Sequence, residues 1–259
     1  MNLGIEGRSA IVCASSRGLG RGCAMALAEA GCNLVVNGRD PDSLQVTAQE
    51  IRDRFGVSVA EVAADVSTED GQKALLDACP SPDILVNNNG GPPRRGFHEL
   101  SRNDMLEGVT QNMVTPLELI QAVIDGMSQR GFGRIVNITS LSVYMPIQGL
   151  DLSSGARAGL TAFLAGVARE VADKNVTINN ILPGKMDTER LHAGIRYGAQ
   201  KAGMTYDEQA KQQAAQIPAR RFGTAEEFGQ LCAFLCSVHA GYLTGQNFPV
   251  DGGLYTSAF

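Results

Sequence analysis

The chain has 259 residues, 44% of them hydrophobic, enough to bury one full core. A net charge of −5 with Lys and Arg scattered along the chain leaves no basic face for nucleic acid. The longest apolar runs, Ser9 to Ala14 and Leu34 to Val36, fall far short of the ~20 residues that cross a bilayer, and no cleavage site follows the first, so neither a membrane span nor a signal peptide is expected.

Strand-like and helical segments alternate from the start. SAIVCA leads into a helix over Gly18 to Ala30, NLVVNG into a helix over Pro41 to Phe55, VSVAEVA into a helix over Thr68 to Ala78, and DILVNN follows. GRIVNITS precedes a helix from about Asp151 to Ala172, NVTINNIL precedes one from about Thr224 to Ser237, and QNFPVDGG closes the series. This alternation predicts an α/β fold, a single-domain Rossmann-type doubly wound sheet of about seven parallel strands with helices on both faces. No linker, repeat or low-complexity segment divides residues 1–259. Residues 186–217 break the rhythm as a polar, helical insertion. Ligands of such sheets bind outside the carboxyl ends of the strands, so this insertion is expected to be a substrate lid.

Six cysteines, Cys13, Cys23, Cys32, Cys79, Cys232 and Cys236, lie mostly in apolar segments and form no C-x-x-C pair. Reduced core thiols in a cytoplasmic protein are expected, and no metal site.

The first strand runs into ASSRGLGRG. Gly18 and Gly20 let backbone approach a pyrophosphate while the next helix aims its N-terminus at the same charge. Asn37-Gly38-Arg39 closes the second strand, where such folds read the adenosine ribose. An acid there would accept from a free 2′-hydroxyl, whereas arginine suits a 2′-phosphate, and Arg17 adds a second cation. NADP is therefore expected over NAD. The plainer alternative for Arg39 is a surface pairing with Asp40 or Asp42.

Together these segments resemble the short-chain dehydrogenase/reductase family, nearest its β-ketoacyl-acyl-carrier-protein reductase branch, over almost the whole length. The family's Thr-Gly-x-x-x-Gly-x-Gly turn is matched by Ala14-Ser15-Ser16-Arg17-Gly18-Leu19-Gly20, with the first glycine read as replaced by Ser15. Asn87-Asn88-Asn89-Gly90 matches its Asn-Asn-Ala-Gly motif, Asp65-Val66 its adenine-side pair, and Pro183-Gly184 its Pro-Gly. Thr188 falls where the family holds the nicotinamide carboxamide. The resemblance implies a cofactor site of Ser15, Ser16, Arg17, Gly18, Leu19, Gly20, Arg39, Asp65, Val66, Asn87, Asn89, Gly90, Arg157, Pro183, Gly184 and Thr188. It also implies an oxidoreductase acting on CH–OH groups, and a homotetramer built on Asn112 to Arg130, Asp151 to Ala172 and Gln246 to Val250.

The family couples hydride and proton transfer through Asn, Ser, Tyr and Lys. Asn112 and Ser140 match the first two. Thirteen residues beyond Ser140 stands Ser153, and four beyond that Arg157, where the family keeps Tyr-x-x-x-Lys. Bringing a phenol from pKa ~10 to neutrality takes ~4 kcal/mol, within reach of a neighbouring cation. An aliphatic hydroxyl near water's ~15.7 would need ~11 kcal/mol. Ser153 thus needs a base to act, and as a serine near a helix start it also reads as a cap. Arg157 is expected on the nicotinamide ribose.

Tyr144, four residues past Ser140, offers a phenol of suitable pKa or else a pocket wall. Tyr197 and Tyr206 depend on how the insertion folds. His98 follows a loop that opens on the same edge, and Arg94, Arg95, Arg190, His192, Arg196 and Lys201 bias the rim positive. That hints at a small-molecule substrate that is anionic or a thioester, unless these are ordinary exposed loop charges. Three readings stay open: an NADP-dependent oxidoreductase with rerouted proton transfer, a weak or inactive NADP-binding sensor or partner protein, and an enzyme of changed reaction type, elimination or isomerisation.

Overall fold

A computed structural model describes residues 1–91 and 95–257. Seven parallel strands form one sheet: β1 (Ser9–Val12), β2 (Asn33–Gly38), β3 (Val59–Ala63), β4 (Ile84–Asn87), β5 (Gly133–Ile138), β6 (Val176–Pro183) and β7 (Asn247–Val250). Their order is β3-β2-β1-β4-β5-β6-β7, the doubly wound arrangement expected. The central strands are apolar on both faces because helices cover both sides; β4 and β5 are buried throughout.

The helices are α1 (Gly18–Glu29), α2 (Pro41–Phe55), α3 (Glu69–Ala78), α4 (Arg102–Val109), α5 (Thr115–Arg130), α6 (Asp151–Glu170), α7 (Glu189–Ala202), α8 (Tyr206–Ala215) and α9 (Ala225–Cys236). One core layer joins α1 and α9 to the sheet through Leu27, Val36, Ile84 and Phe228; the other joins α5 and α6 through Leu85, Ile120, Ile135 and Leu160. On the first face α1 and α9 cross closely: a Cβ on Gly22 would stand 2.2 Å from the Ala225 carbonyl oxygen, and one on Gly229 2.2 Å from that of Gly22.

A π-helical turn over Thr110–Val114 links α4 to α5 and buries Asn112. The insertion consists of α7 and α8, set between β6 and α9. All six cysteines are buried and free, and among the described residues no group of three or more ligands could hold a metal. No helix of the described residues is long and apolar enough to cross a membrane.

Candidate active site

The turn between β1 and α1 differs from its sequence reading at one position. The left-handed backbone that the family's first glycine would supply lies at Ala14 (φ 44), not at Ser15. Ser15 is fully buried; its hydroxyl donates to the Val12 carbonyl (2.7 Å) and accepts from the Asn37 amide (3.0 Å). It ties β1 to β2 instead of facing a ligand. Residue type alone points to the serine, whereas four positions before Gly18, itself left-handed (φ 59), the backbone arrives at Ala14.

Beyond the turn, α1 begins with Arg17 as its cap, with no side-chain cap bond and no acid in its first turn. Its leading N–H groups are therefore left for an anion. Gly20 must be glycine because a Cβ would meet the Ala14 carbonyl oxygen at 2.3 Å. Asn88 Nδ2 donates to that same oxygen (3.1 Å) and locks the turn to the exit of β4. Ser16 lies against Gly38 at the end of β2, and the exposed Arg17 acts electrostatically on Asp40. Arg39 is largely exposed and pairs loosely with Asp65 at 4.0 Å, not with Asp40 or Asp42. The Asp65 carboxyl is held below its usual range by the Ser67 hydroxyl and amide, with Arg39 assisting. Two exposed cations, Arg17 at the start of α1 and Arg39 just beyond β2, with no close ion pair to either among the described residues, suit a 2′-phosphate, and the uncapped helix suits a pyrophosphate. The residues present fit NADP. Val66 is buried and lines a cavity with Cys13 and Arg157.

On the other side of the cleft, Thr188 caps α7, accepting from the Leu191 amide (3.5 Å), and its methyl stands 3.7 Å from where a Cβ on Gly18 would be. Pro183 ends β6. Gly184 admits the close passage of Asp251, which a Cβ would meet at 2.7 Å.

Ser153 and Arg157 face one another inside the protein. Ser153 is not the cap of α6, since Leu150 holds that position and the Ser153 side chain is buried. Its oxygen accepts from Arg157 Nε (3.2 Å). Arg157 also donates from Nη1 to the Ile138 carbonyl (2.6 Å) and from Nη2 to the Asn89 carbonyl (3.5 Å). Three of its five N–H groups are thereby engaged and two remain. No carboxylate pairs with it among the described residues; burial, with Arg190 adding repulsion, pulls its pKa down to about 10, so it stays charged at neutral pH.

A small cavity beside Arg157 is lined by Cys13, Asn87, Asn112 and Thr115. Asn112 Nδ2 donates to the Gly108 carbonyl (3.2 Å), while Asn112 Oδ1, Asn87 Oδ1 and Thr115 Oγ1 are buried without partners among the described residues. Asn89 Nδ2 donates to the Gln111 carbonyl (3.1 Å), and Gly90 is open to solvent. Ser140 accepts from the Ser142 amide (3.1 Å) and is half-buried at the end of β5. Tyr144 is 39% exposed, its ring 5.2 Å from that of Tyr255.

The rim is less cationic than its composition implies. Arg95 pairs with Asp104 at 2.8 Å, Arg196 pairs with Glu189, and His98 is exposed beside Phe97. Arg190 reaches the Gly91 carbonyl (3.4 Å), and Lys201 is exposed. Arg94 lies outside the described residues.

Two features escape the sequence reading. Asn87, Asn137, Asn180 and Asn247 stand in register on β4 to β7, and each amide donates to the next, at 2.9, 3.0 and 2.8 Å. Asparagine recurring at the end of β4, near the end of β5, within β6 and at the start of β7 is the signal that would reveal it. Tyr255 reaches the cleft because Asp251 accepts its backbone amide (2.7 Å), a contact that no local pattern announces.

A doubly wound sheet, a glycine-rich turn into an uncapped helix and a serine-arginine pair at the end of β5 define a dinucleotide-binding fold with an altered catalytic corner. A family model described as Enoyl-(Acyl carrier protein) reductase matches residues 13–255. The chain belongs to the short-chain dehydrogenase/reductase family, and it resembles the ketoacyl-carrier-protein reductase branch. It is 31% identical over 253 residues to 3-oxoacyl-[acyl-carrier-protein] reductase FabG of Vibrio cholerae serotype O1, covering 98% of this chain and 99% of the relative. NADPH-dependent reductase BacG of Bacillus subtilis (strain 168) is 31% identical over 251 residues, covering 95% and 97%. Among solved structures, L-sorbose reductase from Gluconobacter frateurii, complexed with NADPH and L-sorbose, superposes with a TM-score of 0.93 at 30% identity, covering 99% and 100%.

Proposed function

We propose that this chain is an NADPH-dependent reductase of a small carbonyl compound, working on a C=O/CH–OH pair without a phenol at position 153. The observation that carries the reading is the uncapped start of α1 beside the end of β2, where Ser16 packs on Gly38 and the exposed Arg17 and Arg39 act on Asp40 and Asp65. A relative named as an NADPH-dependent reductase, and a reductase of the same fold solved with NADPH, support it. Bound NADPH supplies the hydride.

Each residue then has a definite task. The α1 amides and Gly18 to Gly20 take the pyrophosphate, Arg17 and Arg39 the 2′-phosphate, Asp65 and Val66 the adenine side, and Thr188 with Pro183 and Gly184 the nicotinamide side. Arg157 offers its two remaining N–H groups to the ribose and a fixed positive charge to the reaction. An arginine does not release a proton at neutral pH, so it cannot pass one on as a lysine can. Ser153 accepts from Arg157 and donates to no protein acceptor among the described residues, so its own O–H is free to bond a substrate oxygen beside Ser140. That stabilises charge without giving up a proton. Tyr144 and Tyr255 form a pocket wall, and α7 and α8 act as the lid over residues 186–217, with 1–259 as one domain. A cytoplasmic homotetramer is in keeping with the exposed apolar side chains Met105, Leu106 and Phe163 on α4 and α6.

The second reading, an NADP-binding sensor with little hydride chemistry, is favoured by the missing phenol at 153. Incubating the purified protein with NADPH and a panel of ketones, keto acids and β-ketoacyl thioesters, following cofactor absorbance, decides between them. Turnover with a preference for NADPH over NADH is the expected result. Tight NADPH binding with no turnover on any member supports the sensor.

A further inference from the structure

The reductase reading leaves open which group protonates the substrate oxygen. The chain has five tyrosines. Among the described residues only one, Tyr206, has its hydroxyl in a hydrogen bond: it stands 2.5 Å from His192 Nδ1, and His192 Nε2 lies 2.9 Å from Asp187 Oδ1. Phenol, imidazole and carboxylate thus form one continuous chain, with both ring nitrogens engaged. Tyr144, by contrast, has no ionisable partner for its hydroxyl among the described residues. We propose that Tyr206, positioned and recharged by His192 and Asp187, is the acid that replaces the phenol absent from position 153.

The fold sets the Asp187 end of this chain beside the cofactor turn. Asp187 immediately precedes Thr188, which abuts Gly18 of the cofactor turn. His192 lies one helical turn beyond Thr188, its amide donating to the Thr188 carbonyl (3.0 Å). Arg190, between them, touches Gly91 at the exit of β4 and acts on the charge of Arg157. Tyr206 is half-buried at the first turn of α8, and the bond to His192 ties α8 to α7.

The proton step balances without redox change. The alkoxide left when a carbonyl carbon accepts hydride from a reduced nicotinamide takes the Tyr206 proton. The phenolate takes the Nδ1 proton of the imidazolium, and Nε2–H stays on Asp187. His192, about a third exposed, regains its proton from water. Neutral His192 would instead accept from the phenol and hold that proton away from substrate. The other charges on these elements are occupied or outward: Glu189 with Arg196, Glu208 with Thr205, Arg190 on Gly91, and Asp207, Lys201 and Lys211 exposed. Asp187 is the acid that bonds the ring.

The test uses the full-length protein and the carbonyl it reduces best. Tyr206→Phe is expected to lower kcat about 10²- to 10³-fold with KM and NADPH affinity within about twofold of wild type. His192→Gln, which leaves Tyr206 without its proton supply, is expected to lower kcat and enlarge the solvent deuterium isotope effect. Independently of turnover, ¹⁵N NMR of histidine-labelled protein is expected to report a hydrogen-bonded Nδ1 on His192 whose signal moves in Tyr206→Phe. A Tyr206→Phe enzyme that keeps its kcat, or a His192 signal unmoved by it, overturns the donor role alone. Wild-type protein that binds NADPH and reduces nothing overturns the reductase reading, and the donor role with it.

Discussion

Arg157 Nε donates to the Ser153 hydroxyl at 3.2 Å, so the two residues that replace the family's tyrosine and lysine are partners within one helix. Burial of the guanidinium without a carboxylate, with Arg190 repelling it, disfavours its charge and pulls its pKa down to about 10. The Ile138, Asn89 and Ser153 oxygens offset part of that. Because Arg157 fills the corner, a phenol at 153 alone would compete with it. Ser153→Tyr is expected to give no gain, whereas Ser153→Tyr with Arg157→Lys should raise carbonyl reduction at least about tenfold, measured as kcat with NADPH. Failure of the double variant to gain, with NADPH affinity retained, would sink the assignment of these positions.

Ala14 holds a left-handed φ of 44, a conformation that costs a side-chain-bearing residue about 1–2 kcal/mol. Glycine relieves that cost but loosens the unfolded chain. Ala14→Gly is expected to raise stability by up to about 1 kcal/mol in urea unfolding, leaving NADPH affinity equal or improved. A loss of stability would show that Ala14 packing outweighs its backbone strain.

The sheet was legible because each strand is a short apolar run set off by glycine or asparagine from a helical segment; β1 to β7 all stand where those runs do. The seam at residues 153 and 157 was legible because spacing along one helix survives substitution. What sequence concealed was contact across the fold. Whether Arg157 is buried or outward depends on β5 and the Asn89 loop, and whether His192 is a rim charge or a bonded ring depends on α8 folding back. Ser15 takes the glycine's place only when residue types are matched; matched by backbone, the place belongs to Ala14.

Arg39 stands free enough to meet a phosphate, its nearest acid being Asp65 at 4.0 Å. Arg39→Asp removes a cation and adds an acid that would accept from a 2′-hydroxyl. The expected outcome is about a 10- to 100-fold loss of NADPH affinity with NADH affinity unchanged or better, measured by fluorescence titration. Equal loss for both cofactors would mean that Arg39 supports the turn instead of reading the phosphate.

Glu227 carries a prediction of acid sensitivity. Arg221 and the Thr224 cap hold its carboxyl down to about 2, well below the unfolded value near 4.5. A depressed carboxyl adds stability that is present above the unfolded value and lost as pH falls towards 2. Melting temperature followed from about pH 5 to about pH 2 should therefore fall more steeply in wild type than in Glu227→Gln. The pair is exposed, so the difference should shrink in high salt; matching slopes would remove Glu227 from the acid response.

The asparagine ladder makes the last prediction, because Asn87, Asn137 and Asn180 are buried and each link depends on the next. Asn137 sits at the middle, accepting from Asn87 and donating to Asn180. Asn137→Leu keeps the volume roughly but strands the Asn87 amide and the Asn180 carbonyl in a buried sheet. Each lost partner costs about 1–3 kcal/mol, so the variant should lose about 2–6 kcal/mol in urea unfolding. Asn247→Leu strands only the Asn180 amide at the edge strand and should cost about half as much. The ladder also ends in the cavity beside Arg157, at the unpartnered Asn87 oxygen, so Asn137→Leu should weaken NADPH binding as well as stability, and Asn247→Leu should not. Equal costs for the two variants would mean that the amides contribute by packing, with no directional chain among them.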